Sequence, residues 1–292
     1  MMGTLADVVA YPEGETARQA SVGAFGRMDE VEGLAHRQRV DAPASLKGEL
    51  AAILGTGLEV SRASSGAFDP TLGEVIALWG FDSEKPHLPE PDDLSDALGR
   101  VGYRRLDPAV PGSVSPFGNS PPIWLDLGGV AKGYAVDEAV ESLRGRGVSG
   151  GIVNAGGDLR TFGSKPGGKP WKIGVQDPDH PQELAGVLTL REAAVATSGD
   201  YQRYFEEGGV RYHHILDPAT GYPARSGLRG TTVIAPDCAL ADALATAAFV
   251  LGPVKGLKLL EEWDGVEGVL ITDGGEILTT SGIGKSIPFE KR

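Results

Sequence analysis

Glycine sets the strongest constraint on what this chain can fold into. It supplies 43 of the 292 residues, about twice the usual share of roughly 7%. The glycines show no period of three, which excludes collagen. They gather instead in pairs: Gly128-Gly129, Gly150-Gly151, Gly156-Gly157 and Gly274-Gly275. A residue without Cβ turns tightly and lets the main chain come close to another group. Many short elements are therefore expected, with several places where backbone approaches a ligand.

The remaining composition narrows the class. Hydrophobic residues make up 41% and charged residues 23%, as in a globular protein, and the length suits one large domain or two medium ones. One domain over residues 1–292, with room for two lobes, is the expectation. A formal net charge of −13 argues against nucleic-acid binding, which needs a basic face for phosphates. An anionic ligand stays compatible if a metal ion or a few placed cations offset the repulsion. Cys238 is the single cysteine, so no internal disulfide forms and the redox compartment is open. No run of about 18 apolar residues predicts a transmembrane segment. The N-terminus lacks the basic and apolar regions of a signal peptide, which fits a cytoplasmic protein or one whose export segment has been removed.

Periodicity gives an outline. Residues 2–11 read as a strand, 14–39 as one or two helices, and 46–63 as a helix running into a Gly/Pro loop at 65–73. A short helix toward 78–81 follows. Residues 82–121 read as a surface excursion with one strand near 103–106, and 122–127 as a strand broken by Gly128-Gly129. A helix is expected over 131–144 and a buried strand over 151–154. Strands are expected at 170–176, 184–190, 193–197, 201–206, 210–216 and 229–234, helices at 239–251 and 254–263, and strands near 267–272 and 276–280. Helices first and antiparallel strands later predict an α+β fold.

The densest set of reactive side chains is TSGDYQRYFEEGGVRYHHILDPATGYPA at 197–224. Adjacent strand residues point to opposite faces, so only one of His213 and His214 can face a given pocket. An exposed hairpin explains the same pattern. Ser198 beside a histidine and an aspartate invites a hydrolase triad, but no G-x-S-x-G elbow surrounds it. Asp242 and Thr246 are four apart and share a helical face. A carboxylate among so many Ala and Leu residues is costly to bury without compensation, and a hard cation such as Mg²⁺ takes oxygen ligands of this kind. The same pair equally suits an aspartate at a helix start, with Thr246 bonding back to a carbonyl. Residues 124–134 form a strand, a Gly turn and a helix start, where backbone N–H groups and Lys132 could meet an anion; the spacing is not that of a Walker loop. Asn154-Ala155-Gly156-Gly157-Asp158 is not a Rossmann fingerprint.

Together these segments closely resemble the ApbE-type FAD:protein FMN transferases. The resemblance rests on MGT at 2–4, GAFDPTLG at 66–73, DLGGVAKGYAVD at 126–137, NAGGDLRTFG at 154–163, ATSGDYQRY at 196–204, HHILDPATG at 213–221 and ADALATAAFVLG at 241–252. Seven blocks in family order cover nearly the whole chain. The resemblance implies an α+β fold with helices packed on largely antiparallel sheets and the FAD site between the sheet-rich core and the helical part. It implies Mg²⁺-dependent transfer of FMN from FAD to a threonine hydroxyl of an acceptor flavoprotein, with release of AMP. Hydrolysis of FAD to FMN and AMP, and FAD binding without turnover, are the alternatives. By the same resemblance Asp242, Thr246 and the carbonyl of Gly129 would hold Mg²⁺. Met2, Ala67, Phe68, Asp69, Asp126, Lys132 and Ile215 would line the FAD site. His214, or else His213, would assist proton transfer. The stretch AFGRMDEVEGLAHRQRVD at 24–41 departs from the family pattern, so flavin contacts are not implied there.

Overall fold

The structure, a computed structural model, describes residues 5–35, 38–40, 46–110, 113–116 and 122–292. Its central sheet has seven strands in the spatial order 6–11, 150–155, 158–162, 193–199, 228–235, 267–272 and 277–279. Each is antiparallel to its neighbour. Strand alternation explains the layers on either side. Ala194, Ala196, Val233 and Leu270 face a core shared with the helices. Val195, Ile234, Val269 and Ile271 face the opposite way, onto Trp171, Ile173 and Leu188 of a small sheet made by 171–176, 184–190 and 289–291. With both faces covered, these strands carry apolar residues at consecutive positions instead of alternating with polar ones.

The helices are α1 (Glu15–Ala35), α2 (Glu49–Ala63), α3 (Gly73–Trp79), α4 (Pro91–Leu98), α5 (Gly128–Gly145) and α6 (Cys238–Glu261). Helices α5 and α6 pack on the sheet and on each other, with α1 against α5 and α2 against α6. By length and composition α6 is apolar enough to cross a membrane, at a mean hydropathy of 1.5. Its Ala241, Ala243, Leu244, Ala247, Ala248 and Phe249 are wholly buried against protein. Full burial of a Leu or Phe side chain stabilises by about 1.5–3 kcal/mol, so the apolar composition answers to the core.

Several elements depart from the sequence outline. The helix expected from 46 starts at Glu49, because Leu46–Lys47 pair as a strand. The helix expected from Ala131 starts at Gly128, where Asp126 Oδ1 accepts from the Gly128 N–H at 2.9 Å. Residues 82–121 hold a helix, α4, which the excursion reading missed; the strand expected near 103–106 begins only at Leu106, after a single helical turn, and a second strand spans 113–116. The strand expected over 210–216 stops at His213 as the chain enters the Asp217 turn. The helices expected at 239–251 and 254–263 run together as α6, interrupted at Gly252 (φ 78°) before Pro253.

A third apolar cluster matters for the site. Leu72, Val75, Trp79, Leu94, Ala97 and Leu216 pack together with Phe205 and Tyr212 alongside. Trp79 Nε1–H donates to the Gly221 carbonyl at 2.8 Å. This ties the helices of 73–98 to the loop after His214.

Candidate active site

Helices α5 and α6 cross closely because position 133 has no side chain. A Cβ on Gly133 would overlap the Cys238 carbonyl oxygen. The crossing is reinforced by Asp137 of α5, which accepts from the Cys238 and Ala239 N–H groups at the start of α6 (2.9 and 3.0 Å) and from Arg160 (2.9 Å). Burial pushes the Asp137 carboxyl up to about 6 against these stabilising contacts. One turn further into α6, Asp242 Oδ2 accepts from the Gly133 N–H at 3.2 Å. Asp242 is 5% exposed. Burial, then repulsion from Asp158, holds its carboxyl well above the usual range.

Thr246 lies a helical turn beyond and bonds Ser198 Oγ at 3.1 Å, side chain to side chain. The alternative reading of the Asp242–Thr246 pair as a helix-start device therefore fails. Asp237 is the residue that caps α6, accepting from Leu240 N–H at 2.9 Å. His213 and His214 bond the carbonyls of Ala224 and Arg203, while Ser198 pairs with Thr246, so the hydrolase-triad reading finds no support. Gly129 approaches from α5: a Cβ built on it would lie 3.5 Å from Thr246 Oγ1 and 3.0 Å from the Phe68 ring. Lys132 Nζ sits 3.0 Å from Asp158 Oδ2. Burial works against its charge, but Asp158 and Asp242 outweigh that and raise its pKa.

The opposite wall is made by 213–224. His213 is buried with its ring edge-on to Phe249 at 5.6 Å. Its Nε2–H donates to the Ala224 carbonyl at 3.0 Å. His214 turns the other way, and its Nδ1 lies 3.2 Å from the Arg203 carbonyl. A carbonyl only accepts, so Nδ1 carries the proton and Nε2 keeps its lone pair. Burial pushes this imidazole down to about 3, with Arg203, His213 and Lys132 adding to the shift. Asp217 Oδ1 accepts from Ala219 N–H at 2.9 Å, and its carbonyl takes Gly221 N–H at 2.8 Å.

Between floor and wall lies a cleft of about 1590 Å³. The structure brings Ala67, Phe68, Asp69, Asp126, Gly129, Lys132, His214, Ile215, Asp242 and Thr246 to its surface. His213 is not among its lining residues: it packs behind the wall, which removes it as a candidate for proton transfer. Met2 lies outside the described residues. Asp69 has a local task, accepting from Thr71 N–H (2.9 Å), Thr71 Oγ1 (2.6 Å) and Tyr103 N–H (2.8 Å). These bonds shape the loop that presents Ala67 and Phe68. Residue-by-residue reading missed other lining groups: Tyr201, Arg203 and Arg229, and Glu32 from the divergent 24–41 stretch. Arg229 is held by Asp179 (2.6 Å) and Asp200 (3.0 Å), and burial with Asp200 pushes the Tyr201 phenol up to about 12.

Comparison with known proteins gives this arrangement a context. Residues 2–278 match the model of the ApbE family. The FAD:protein FMN transferase of Treponema pallidum is 35% identical over 279 residues, covering 91% of this chain and 77% of that protein. The transferase of the same name from Haemophilus influenzae is 32% identical over 278 residues, covering 93% and 80%. Among solved structures, the ApbE protein from Thermotoga maritima superposes with a TM-score of 0.79 at 33% identity, covering 96% of this chain and 94% of that one. The flavin transferase ApbE from Vibrio cholerae gives 0.79 at 25% identity, covering 96% and 95%. With the family model spanning nearly its whole length and the α+β fold shared, this chain belongs to the ApbE family.

Proposed function

We propose that this protein transfers FMN from FAD to a threonine hydroxyl of an acceptor flavoprotein and releases AMP. The observation that carries the reading is the pairing of a buried floor of oxygen donors with a neutral imidazole across one cleft. Relatives named FAD:protein FMN transferase support the substrate class.

A divalent cation fits the floor. Asp242 would offer a carboxylate, Thr246 a hydroxyl and Gly129, which lies against Thr246, its backbone carbonyl, all oxygen. Such a donor set is of the kind Mg²⁺ takes, an ion commonly held by one or two carboxylates plus substrate phosphates. When bound there, it would supply charge neutralisation and Lewis acidity to the diphosphate.

The chain's own residues would do the rest. The N-terminal turn of α5, with Gly128 and Gly129 on the cleft surface, offers a positive helix end to phosphate. Phosphoryl transfer is largely positioning and charge stabilisation, so a rigid helix crossing is a suitable base. In the transfer the threonine oxygen forms a bond to the FMN phosphorus. The anhydride bond to AMP breaks, and AMP leaves with the bridging oxygen. His214 Nε2 would take the hydroxyl proton. Its basicity, lowered by burial, would rise beside an anionic diphosphate, because a nearby negative charge favours the imidazolium.

Mass spectrometry after incubation with FAD, Mg²⁺ and a threonine-bearing acceptor tests this reading. Acceptor carrying FMN, with AMP in equal amount, is expected. Free FMN and AMP without labelled acceptor would replace transfer by hydrolysis, and intact bound FAD would leave a binding protein only.

A further inference from the structure

The cleft is larger than one small molecule needs. Its volume of about 1590 Å³ exceeds the roughly 300–1,000 Å³ of ordinary ligand pockets. The floor of α5 and α6 occupies one part of it. Beyond Ser198 the lining changes to Gln176, Asp179, Asp200, Tyr201 and Arg229, none of which has a task in the reaction described above. Strands 193–199 and 228–235 run side by side here, with Ser198 opposite Thr231, and the Arg229 carbonyl accepts from Asp200 N–H at 3.2 Å. Two residues along a strand span about 7 Å, so this compartment adjoins the Ser198–Thr246 contact.

Its two largest side chains are held in fixed places. The Tyr201 ring lies on Gly199 and Gly230: a Cβ on the first would overlap it, and one on the second would meet it at 3.8 Å. Burial and Asp200 keep the phenol protonated, so its hydroxyl is a neutral donor. Arg229 commits Nε to Asp200 and Nη1 to Asp179, which leaves Nη2 outside both bonds. Two carboxylates around one guanidinium make the compartment net negative. A diphosphate is repelled there, whereas Lys132 and the start of α5 attract it on the floor. Neutral amide groups meet no such repulsion. They bring carbonyls for Tyr201 and Arg229 and N–H groups for Asp179.

We propose that this compartment binds the main chain of the acceptor on either side of its target threonine, while the nucleotide keeps to the floor. The inference rests on the transfer reading, which requires a polypeptide in the cleft together with FAD. Tyr201 and Arg229 donate to acceptor carbonyls, and Asp179 accepts an acceptor N–H. The threonine hydroxyl is thereby presented past Ser198 toward the floor.

Steady-state transfer to the acceptor labelled in the experiment above tests this, with FAD affinity measured separately by quenching of flavin fluorescence. Tyr201→Phe keeps the ring on its two glycines and removes only the hydroxyl. It is expected to raise KM for the acceptor about 3- to 10-fold, the loss of one neutral hydrogen bond. Asp179, half-exposed, can be removed with Arg229 still paired to Asp200. Asp179→Ala is expected to raise that KM about 10- to 100-fold, because the lost acceptor is charged. FAD affinity stays at the wild-type value in both variants, which a general loss of packing would not allow. Unchanged acceptor KM in either variant overturns the inference and leaves transfer standing. Weaker FAD binding in either variant also overturns it, because the compartment then belongs to the nucleotide or to the packing. A wild-type chain that labels no acceptor overturns the transfer reading itself, and this inference with it.

Discussion

The floor and the wall of the cleft are built by opposite means. The wall, 213–224, is closed mostly by short-range bonds among Ile215, Asp217, Ala219, Gly221 and Ala224, with Trp79 as its long-range anchor at the Gly221 carbonyl. The floor joins α5 and α6, whose key contacts link residues about a hundred apart, Gly133 to Asp242 and Asp137 to Cys238. A local wall can tolerate adjustment of one bond. A floor made where two helices touch backbone to backbone has no slack, so its chemistry and its stability are coupled.

That contrast can be tested from the strongest effect downward. Gly133→Ala should be the most damaging, costing about 3 kcal/mol in denaturant unfolding because the new methyl overlaps backbone and the helices must part. Its wall counterpart, Gly221→Ala (φ 72°), should cost about 1–2 kcal/mol for the left-handed backbone. Equal costs would break the distinction. Asp242→Asn should slow FMN transfer about 100-fold or more yet raise Tm in the absence of divalent cation, since it removes one of two mutually repelling buried carboxylates. A lower Tm would show that the Asp158–Asp242 pair stores no repulsion.

The adjacent histidines sharpen the wall. His214→Ala is expected to lower the transfer rate about 100-fold through loss of the proton acceptor. His213→Ala should instead cost about 2 kcal/mol of stability from the lost packing and hydrogen bond, with the rate within a few-fold of wild type. Rate and stability measured on both variants decide it.

The smallest effect is on pH. His214 titrates near 3 in the folded protein against an ordinary 6.5. Between those values the unfolded chain binds a proton that the folded one refuses, so this group removes stability as pH falls through that window. Asp137 has the opposite sign. Its carboxyl, raised to about 6 from 3.8, holds a proton when folded, and that contribution is lost as pH rises toward 6. Between about pH 4 and 6 the two slopes oppose each other, so in His214→Phe the Asp137 contribution stands alone and melting curves should show Tm falling more steeply than in wild type as pH rises through that window.

The wall was more legible in the sequence than the floor, and for the same physical reason. The Asp217-Pro218 turn and the opposed histidines follow from nearest-neighbour geometry, and the Asp242–Thr246 face follows from helical spacing. Asp137 and Asp158 stand in recognisable segments, but their tasks depend on what another element places beside them. No local pattern says that Asp137 accepts from the first N–H groups of a helix about a hundred residues away. Helix α4 was readable and missed: Pro91 at its first position, Asp92 and Asp93 in its first turn and Leu94 with Ala97 inward are start signals, hidden by the Pro- and Asp-rich text around them. The start of α5 was misplaced because Gly128-Gly129 reads as a break until Asp126 is seen to accept from the Gly128 N–H.

The apolar character of α6 also bears on how the chain reaches its fold. A segment of 24 residues with so few charges is adhesive while unfolded, and exposed surface of that kind drives aggregation of folding intermediates. Helices α2 and α5 and the strands 158–162, 193–199 and 228–235, which cover it, all precede it in the chain. Only the strand Glu267–Thr272 among its main partners comes after. During synthesis this apolar helix thus emerges after all but one of the main pieces that shelter it. Chain order itself acts as a safeguard, and moving α6 toward the N-terminus by circular permutation would remove it.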